Sequence, residues 1–257
     1  MTNRQTNDQV TDQVVVNTAK MTVKKKLLIA LCAVVGVTAI VATSVAATVA
    51  YLTASSAVSN VFTVGNVTIS LTESKVNDNG TLYDGGVTKV DTNTYKLMDN
   101  TTYIKDPTIT VLAGSENSYL FVLVRNDIET IEANTEDRPS IATQLAANGW
   151  AKYRMASTGW VYIYVGAGNV PAGNVNLTAS AAVDVSQLSA VKVNPGDYKL
   201  FDTFSIAAKP SRPVSDFGAA KITITAYAIQ DSGFATIDAA WTAILETYPY
   251  IHTGAVN

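Results

Sequence analysis

The chain has 257 residues, one cysteine, one histidine and a formal net charge of −3. Single copies of Cys and His leave no ligand set for a zinc site and no internal disulfide, and the lack of a basic excess argues against nucleic acid as a partner. At this length one domain with appendages can bury a core large enough to stand without cross-links.

Residues 1–20 are polar and lack hydrophobic periodicity, and they read as a disordered extension or an over-extended start, with Met21 as the true beginning. Lys24-Lys25-Lys26 is a compact basic cluster, Leu27 to Val41 is apolar, and Ala42 to Ala50 is rich in Ala, Ser and Thr. That layout predicts a signal peptide over residues 21–50, with Thr48 and Ala50 as the small residues a signal peptidase reads and Tyr51 as the first residue of the product. A retained anchor is the competing reading, because Leu27 to Leu52 is long enough to span a bilayer. Against it, no basic cluster follows to stop transfer. Cys32 lies inside this segment, so the exported product is expected to have no thiol, with 13 basic and 19 acidic side chains.

The remainder reads as strands separated by turns. Val67 to Thr72 and Pro107 to Leu112 alternate apolar and polar residues, as half-buried strands do. Tyr119 to Val124 is almost continuously apolar and is expected to be central and covered on both faces. Trp160 to Val165, Leu200 to Ala207 and Lys221 to Gln230 complete the set, the last with Ile222, Ile224, Ala226 and Ala228 on one face. Asn79-Gly80, Asp84-Gly85-Gly86, Ala113-Gly114-Ser115 and Pro195-Gly196-Asp197 punctuate them. Two helices are predicted. One spans Ser140 to Asn148, with Ile141 and Leu145 inward and Gly149 at its end. The other starts at the cap Thr236, carries the stripe Ile237, Ala240, Trp241, Ile244 and Leu245, and stops before Pro249.

Chemistry-bearing patterns are sparse. His252 is the only histidine, and neither H-E-x-x-H, G-x-S-x-G nor a phosphate loop occurs. Glu129, Glu132, Glu136 and Asp137 read as a solvated loop face, with a carboxylate pair as the alternative. Asn77, Asp78, Asn79 and Asp84 read as a hairpin turn, with calcium ligation as the alternative. Trp160, Tyr162 and Tyr164 share one strand face, near Trp150 in sequence, and read as core or as a sugar-stacking platform. No catalytic, cofactor or metal residues are assigned, and an enzyme is not expected.

The run from Lys24 to Leu71 resembles the start of the TasA/camelysin family of Gram-positive bacteria, exported through a SipW-type signal peptidase. The likeness lies in the Lys cluster, the long Gly/Ala/Thr-rich apolar segment, Thr48-Val49-Ala50-Tyr51, and Asn60-Val61-Phe62-Thr63-Val64-Gly65-Asn66-Val67. Tyr103 to Val111 is similar to the family's K-D-P strand. Val193-Asn194-Pro195-Gly196 with Leu200-Phe201, and Ile222 to Gln230 followed by Gly233-Phe234 and Ala240-Trp241, resemble its later segments. Leu52-Thr53-Ala54 stands where the family has an aromatic-acid pair. Some relatives carry a metallopeptidase label that no residues here support.

The resemblance implies a jelly-roll-like antiparallel β-sandwich over residues 65–257, with one or two short helices, preceded by the hydrophobic signal helix. It implies a secreted matrix or biofilm protein at the cell surface that builds or decorates fibres, with itself or related matrix proteins as partners. The membrane is then only a transient contact. Residues 51–64 become a candidate donor strand, with Val58, Val61, Phe62 and Val64 as its apolar anchors; pairing within its own sheet is the alternative. A monomeric surface module that binds glycans or acts as an adhesin is the other function class.

Overall fold

A computed structural model of the chain describes residues 54–59 by their backbone and residues 67–249 with side chains; these belong to one compact unit, Tyr51–Asn257. The fold is mainly β. Its strands are β1 (Ala54–Ser59), β2 (Ile69–Ser74), β3 (Lys89–Val90), β4 (Thr92–Tyr95), β5 (Thr102–Ile104), β6 (Thr108–Val111) and β7 (Ser118–Asn126). After helix α1 (Ile141–Ala147) come β8 (Trp150–Ala156), β9 (Gly159–Tyr164), β10 (Gly196–Lys199), β11 (Thr203–Ser205), β12 (Ile222–Gln230) and helix α2 (Ile237–Thr247). They form a six-stranded sheet in the order β4-β1-β12-β7-β9-β8, a four-stranded sheet β10-β6-β2-β3 and a ribbon β11-β5. Every described pairing is antiparallel except β1 with β12.

Alternation along the strands sorts side chains into two apolar layers. Ile69, Leu71, Ile109 and Val111 of the four-stranded sheet share one core with Leu120, Val122, Val124, Ile224, Ala226 and Ala228 of the six-stranded sheet. The alternate residues Phe121, Tyr227 and Ile229 point the other way and meet Ala240, Trp241 and Ile244 of α2. β7 is therefore central and covered on both faces, as its continuous apolar run predicts. Lys221 to Gln230 also forms its strand with the expected face inward.

Both helices begin where the sequence places them. Ser140 Oγ accepts from the Thr143 N–H at 3.2 Å, and Thr236 Oγ1 accepts from the Ala239 N–H at 3.2 Å. Ile141 and Leu145 are buried, and Gly149 takes a φ of 89° just past α1, a conformation open to glycine. Trp241 is 1% exposed and lies 5.1 Å from the Phe121 ring, 5.9 Å from Tyr227 and 6.0 Å from Tyr153. The apolar stripe of α2 packs on its own sheet.

Two stretches differ from their sequence reading. Leu200 to Ala207 does not form one strand; only Thr203–Ser205 pairs, with β5. The Gln144 side chain takes over the backbone before it, accepting from the Asp202 and Thr203 N–H groups and donating to the Thr203 carbonyl. Leu200 and Phe201 are instead buried in the connection. β8 is a strand the sequence did not announce, because Lys152 interrupts its apolar run and the register shifts between Lys152 and Arg154.

Replacing Trp241 with Ala empties the centre of the sheet–helix layer. Urea denaturation is expected to show a loss of ~3–5 kcal/mol in stability, with the secondary structure of the remaining domain retained.

Candidate functional site

β1 is the chain's N-terminal described segment, and its position is unusual. Its backbone runs antiparallel to β4, with Ala54 opposite Tyr95 and Ala57 opposite Thr92, and parallel to β12, with Val58 opposite Ile224 and Ser59 opposite Thr225. Among the described residues, β4 enters the six-stranded sheet only through β1. β1 thus fills a slot between two walls. On the β12 wall Ile224 is fully buried, and on the β4 wall Tyr95 is 1% and Asn93 5% exposed. Without a strand in the slot, both walls present unpaired N–H and C=O groups beside buried side chains.

Of the expected donor residues, Val58 lies in this slot, and in the single chain the segment pairs within its own sheet. Val61, Phe62 and Val64, and the cleavage residues Thr48, Ala50 and Tyr51, lie outside the described residues. No described helix is long and apolar enough to cross a membrane. The described residues hold no group of three or more His, Cys, Asp or Glu side chains able to ligate a metal. At the Asn77–Asp84 turn, the Asp84 carboxylate accepts from the Val87 and Thr88 N–H groups and the Thr88 hydroxyl, and the Thr88 bonds hold its pKa below the usual value.

The aromatic row of β9 does not form an exposed platform. Trp160 is 8% and Tyr162 5% exposed, and Tyr164 packs against the rings of Trp150 and Tyr198 at 5.2 and 5.1 Å. One end of the row does reach a cleft of about 570 Å³. Trp160, Tyr162, Lys152, Glu129 and Glu132 line it. The Tyr162 hydroxyl has no hydrogen-bond partner among the described residues, and burial, with Glu129 and Glu132 nearby, pushes its pKa up. Lys152 Nζ donates to the Val175 and Leu177 carbonyls at 2.9 and 2.7 Å and sits 4.9 Å from the Trp160 ring centre. Burial lowers its pKa, against the opposing pull of Glu129.

Glu132 departs from the solvated-loop expectation, whereas Glu129, Glu136 and Asp137 are exposed. Its Oε1 accepts from the Ile141 N–H at 2.7 Å and its Oε2 from Asn126 Nδ2 at 3.0 Å, tying the loop to α1 and β7. Burial pushes its carboxyl up to about 7, outweighing these two bonds, which pull it down. Periodicity could not reveal this, because the partners, at the end of β7 and the start of α1, lie six and nine residues away across irregular chain.

No family model matches the chain, and no curated protein or solved structure matches it either.

Because the folded Glu132 holds its proton to about pH 7 and an ordinary Glu releases it near 4.5, the native state binds more protons in that window. Stability from this group is full below pH 4.5 and is lost as pH rises through 7. Urea titrations across that range are expected to show a falling slope that Glu132→Gln removes.

Proposed function

We propose that this chain is a secreted structural protein of the extracellular matrix or biofilm, with a jelly-roll-type domain that assembles into or decorates fibres by exchanging its N-terminal strand. The observation that carries this reading is the slot between β4 and β12, occupied by the N-terminal strand β1. The same backbone bonds form whether the strand comes from the same chain or from another copy, so exchange conserves the ladder and requires only that the connection to β2 be redirected. Sequence supports the segment as the exchanged element. Residues from Leu27 to Thr72 carry no charge that would resist burial, and Val58, Val61, Phe62 and Val64 are the apolar residues of the proposed donor.

Export supplies the free end that such a donor needs. Cleavage after Ala50 by a SipW-type signal peptidase would leave Tyr51 only three residues before β1. The resemblance to the TasA/camelysin family supports the same assignment, with the protein itself and related matrix proteins as partners and the cell surface or matrix as its location.

The cleft beside Trp160 favours a second reading, a monomeric surface module that binds a small polar ligand such as a glycan. Its aromatic edges, the open Tyr162 hydroxyl, and the mixed charges of Lys152, Glu129 and Glu132 suit a polyhydroxylated ring.

Negative-stain electron microscopy of the chain from Tyr51 to Asn257, beside one starting at Gly65, separates the readings. Fibres from the longer chain alone are expected. Monodisperse, folded particles from both chains would overturn strand exchange and favour the surface module.

A further inference from the structure

Three polar side chains meet inside the domain, far in sequence from one another. Glu73 at the end of β2 and Lys105 after β5 are fully buried, and Asn93 of β4 is 5% exposed. The Glu73 carboxylate bridges the other two: Lys105 Nζ donates to Oε2 at 2.5 Å and Asn93 Nδ2 donates to Oε1 at 2.9 Å. Asn93 also donates to the Ser74 carbonyl at 2.8 Å, and its Oδ1 accepts from the Val76 N–H at 2.9 Å.

As a stabilising device this arrangement is poor, because taking two charges out of water costs about as much as their attraction returns. As a reactive one it holds an amine and an amide against the two oxygens of one carboxylate. Burial lowers the pKa of Lys105, while the Glu73 charge and hydrogen bond pull it back up. Proton transfer along the contact to Glu73 leaves a neutral amine, the nucleophilic form of lysine. The Val76 N–H polarises the Asn93 carbonyl and faces the oxygen on which charge would develop.

We propose that Lys105 and Asn93 join in an intramolecular isopeptide bond, with Glu73 as the proton carrier. The Nζ lone pair attacks Cγ of Asn93, and the charge gathers on Oδ1 beside the Val76 N–H. Nζ gives up two protons to Glu73 in turn, one before the attack and one after it, and Glu73 passes each on to Nδ2. The Cγ–Nδ2 bond breaks, the amide nitrogen leaves as an ammonium ion, and a secondary amide links Nζ to Cγ. Glu73 ends as the carboxylate it began as, and no oxidant, metal or external reagent is required. The bond depends on these three side chains alone and stands apart from the assembly reading. It closes the chain between β4 and β5, restricting the unfolded state as a disulfide does, in a domain with no cysteine among its described residues.

The test is the intact mass of the purified full chain in denaturant, with its N-terminus sequenced, followed by peptide mapping. The expected result is a deficit of one ammonia and a branched peptide joining Asn93 to Lys105. Glu73→Gln and Lys105→Arg are each expected to restore the full mass. Circular dichroism of each variant is read beside its mass, because only a folded variant of full mass assigns the missing bond to the missing side chain. A full wild-type mass with linear peptides carrying unmodified Asn93 and Lys105 would overturn the proposal. So would an ammonia deficit that persists in Lys105→Arg, which would place the loss at another amide.

Discussion

β12 needs a hydrogen-bonding neighbour on each edge. Its residues are buried on both faces, by the sheet-to-sheet core on one side and by α2 on the other. A bare edge there would leave peptide groups unpaired next to an apolar interior. β7 satisfies one edge along nine residues, and β1 lies on the other. β4 depends on the same strand, since β1 is its only partner in the sheet among the described residues. One short N-terminal segment therefore closes the sheet on which the core rests, in a domain that no disulfide reinforces.

Much of this architecture was legible in the sequence because it is built on periodicity. The continuous run at Tyr119–Val124, the alternation through Ile222–Ala228 and the stripe from Ile237 to Leu245 each encode which face is apolar, and those faces are the ones that pack inward. The cap Thr236, and Ser140 as the start of the first helix, were visible for the same local reason. The aromatic row of β9 was readable as core, and it is core, with Trp160 and Tyr162 also touching the cleft.

What the sequence hid is polar and long-range. Lys152 breaks the apolar run of β8, yet it is 4% exposed because the Val175 and Leu177 carbonyls arrive from a turn more than twenty residues away. Gln144 ends a would-be strand at Asp202 from across the fold. Glu132 looked like one more acid in an acidic loop until α1 and β7 supplied its donors. Glu73 and Lys105 lie 32 residues apart, and no local pattern marks them as a pair. Hydrophobic periodicity reports burial of apolar groups; a buried charge is identified only by partners that folding brings together.

The central claim is that residues 51–64 carry, in β1, a strand separable from the slot between β4 and β12. The direct measurement adds a fluorescent peptide of that sequence to the chain starting at Gly65 and follows anisotropy and melting temperature together. Saturable binding with a rising melting temperature is the result the account predicts. A folded Gly65 chain that neither binds the peptide nor gains stability from it would contradict the account.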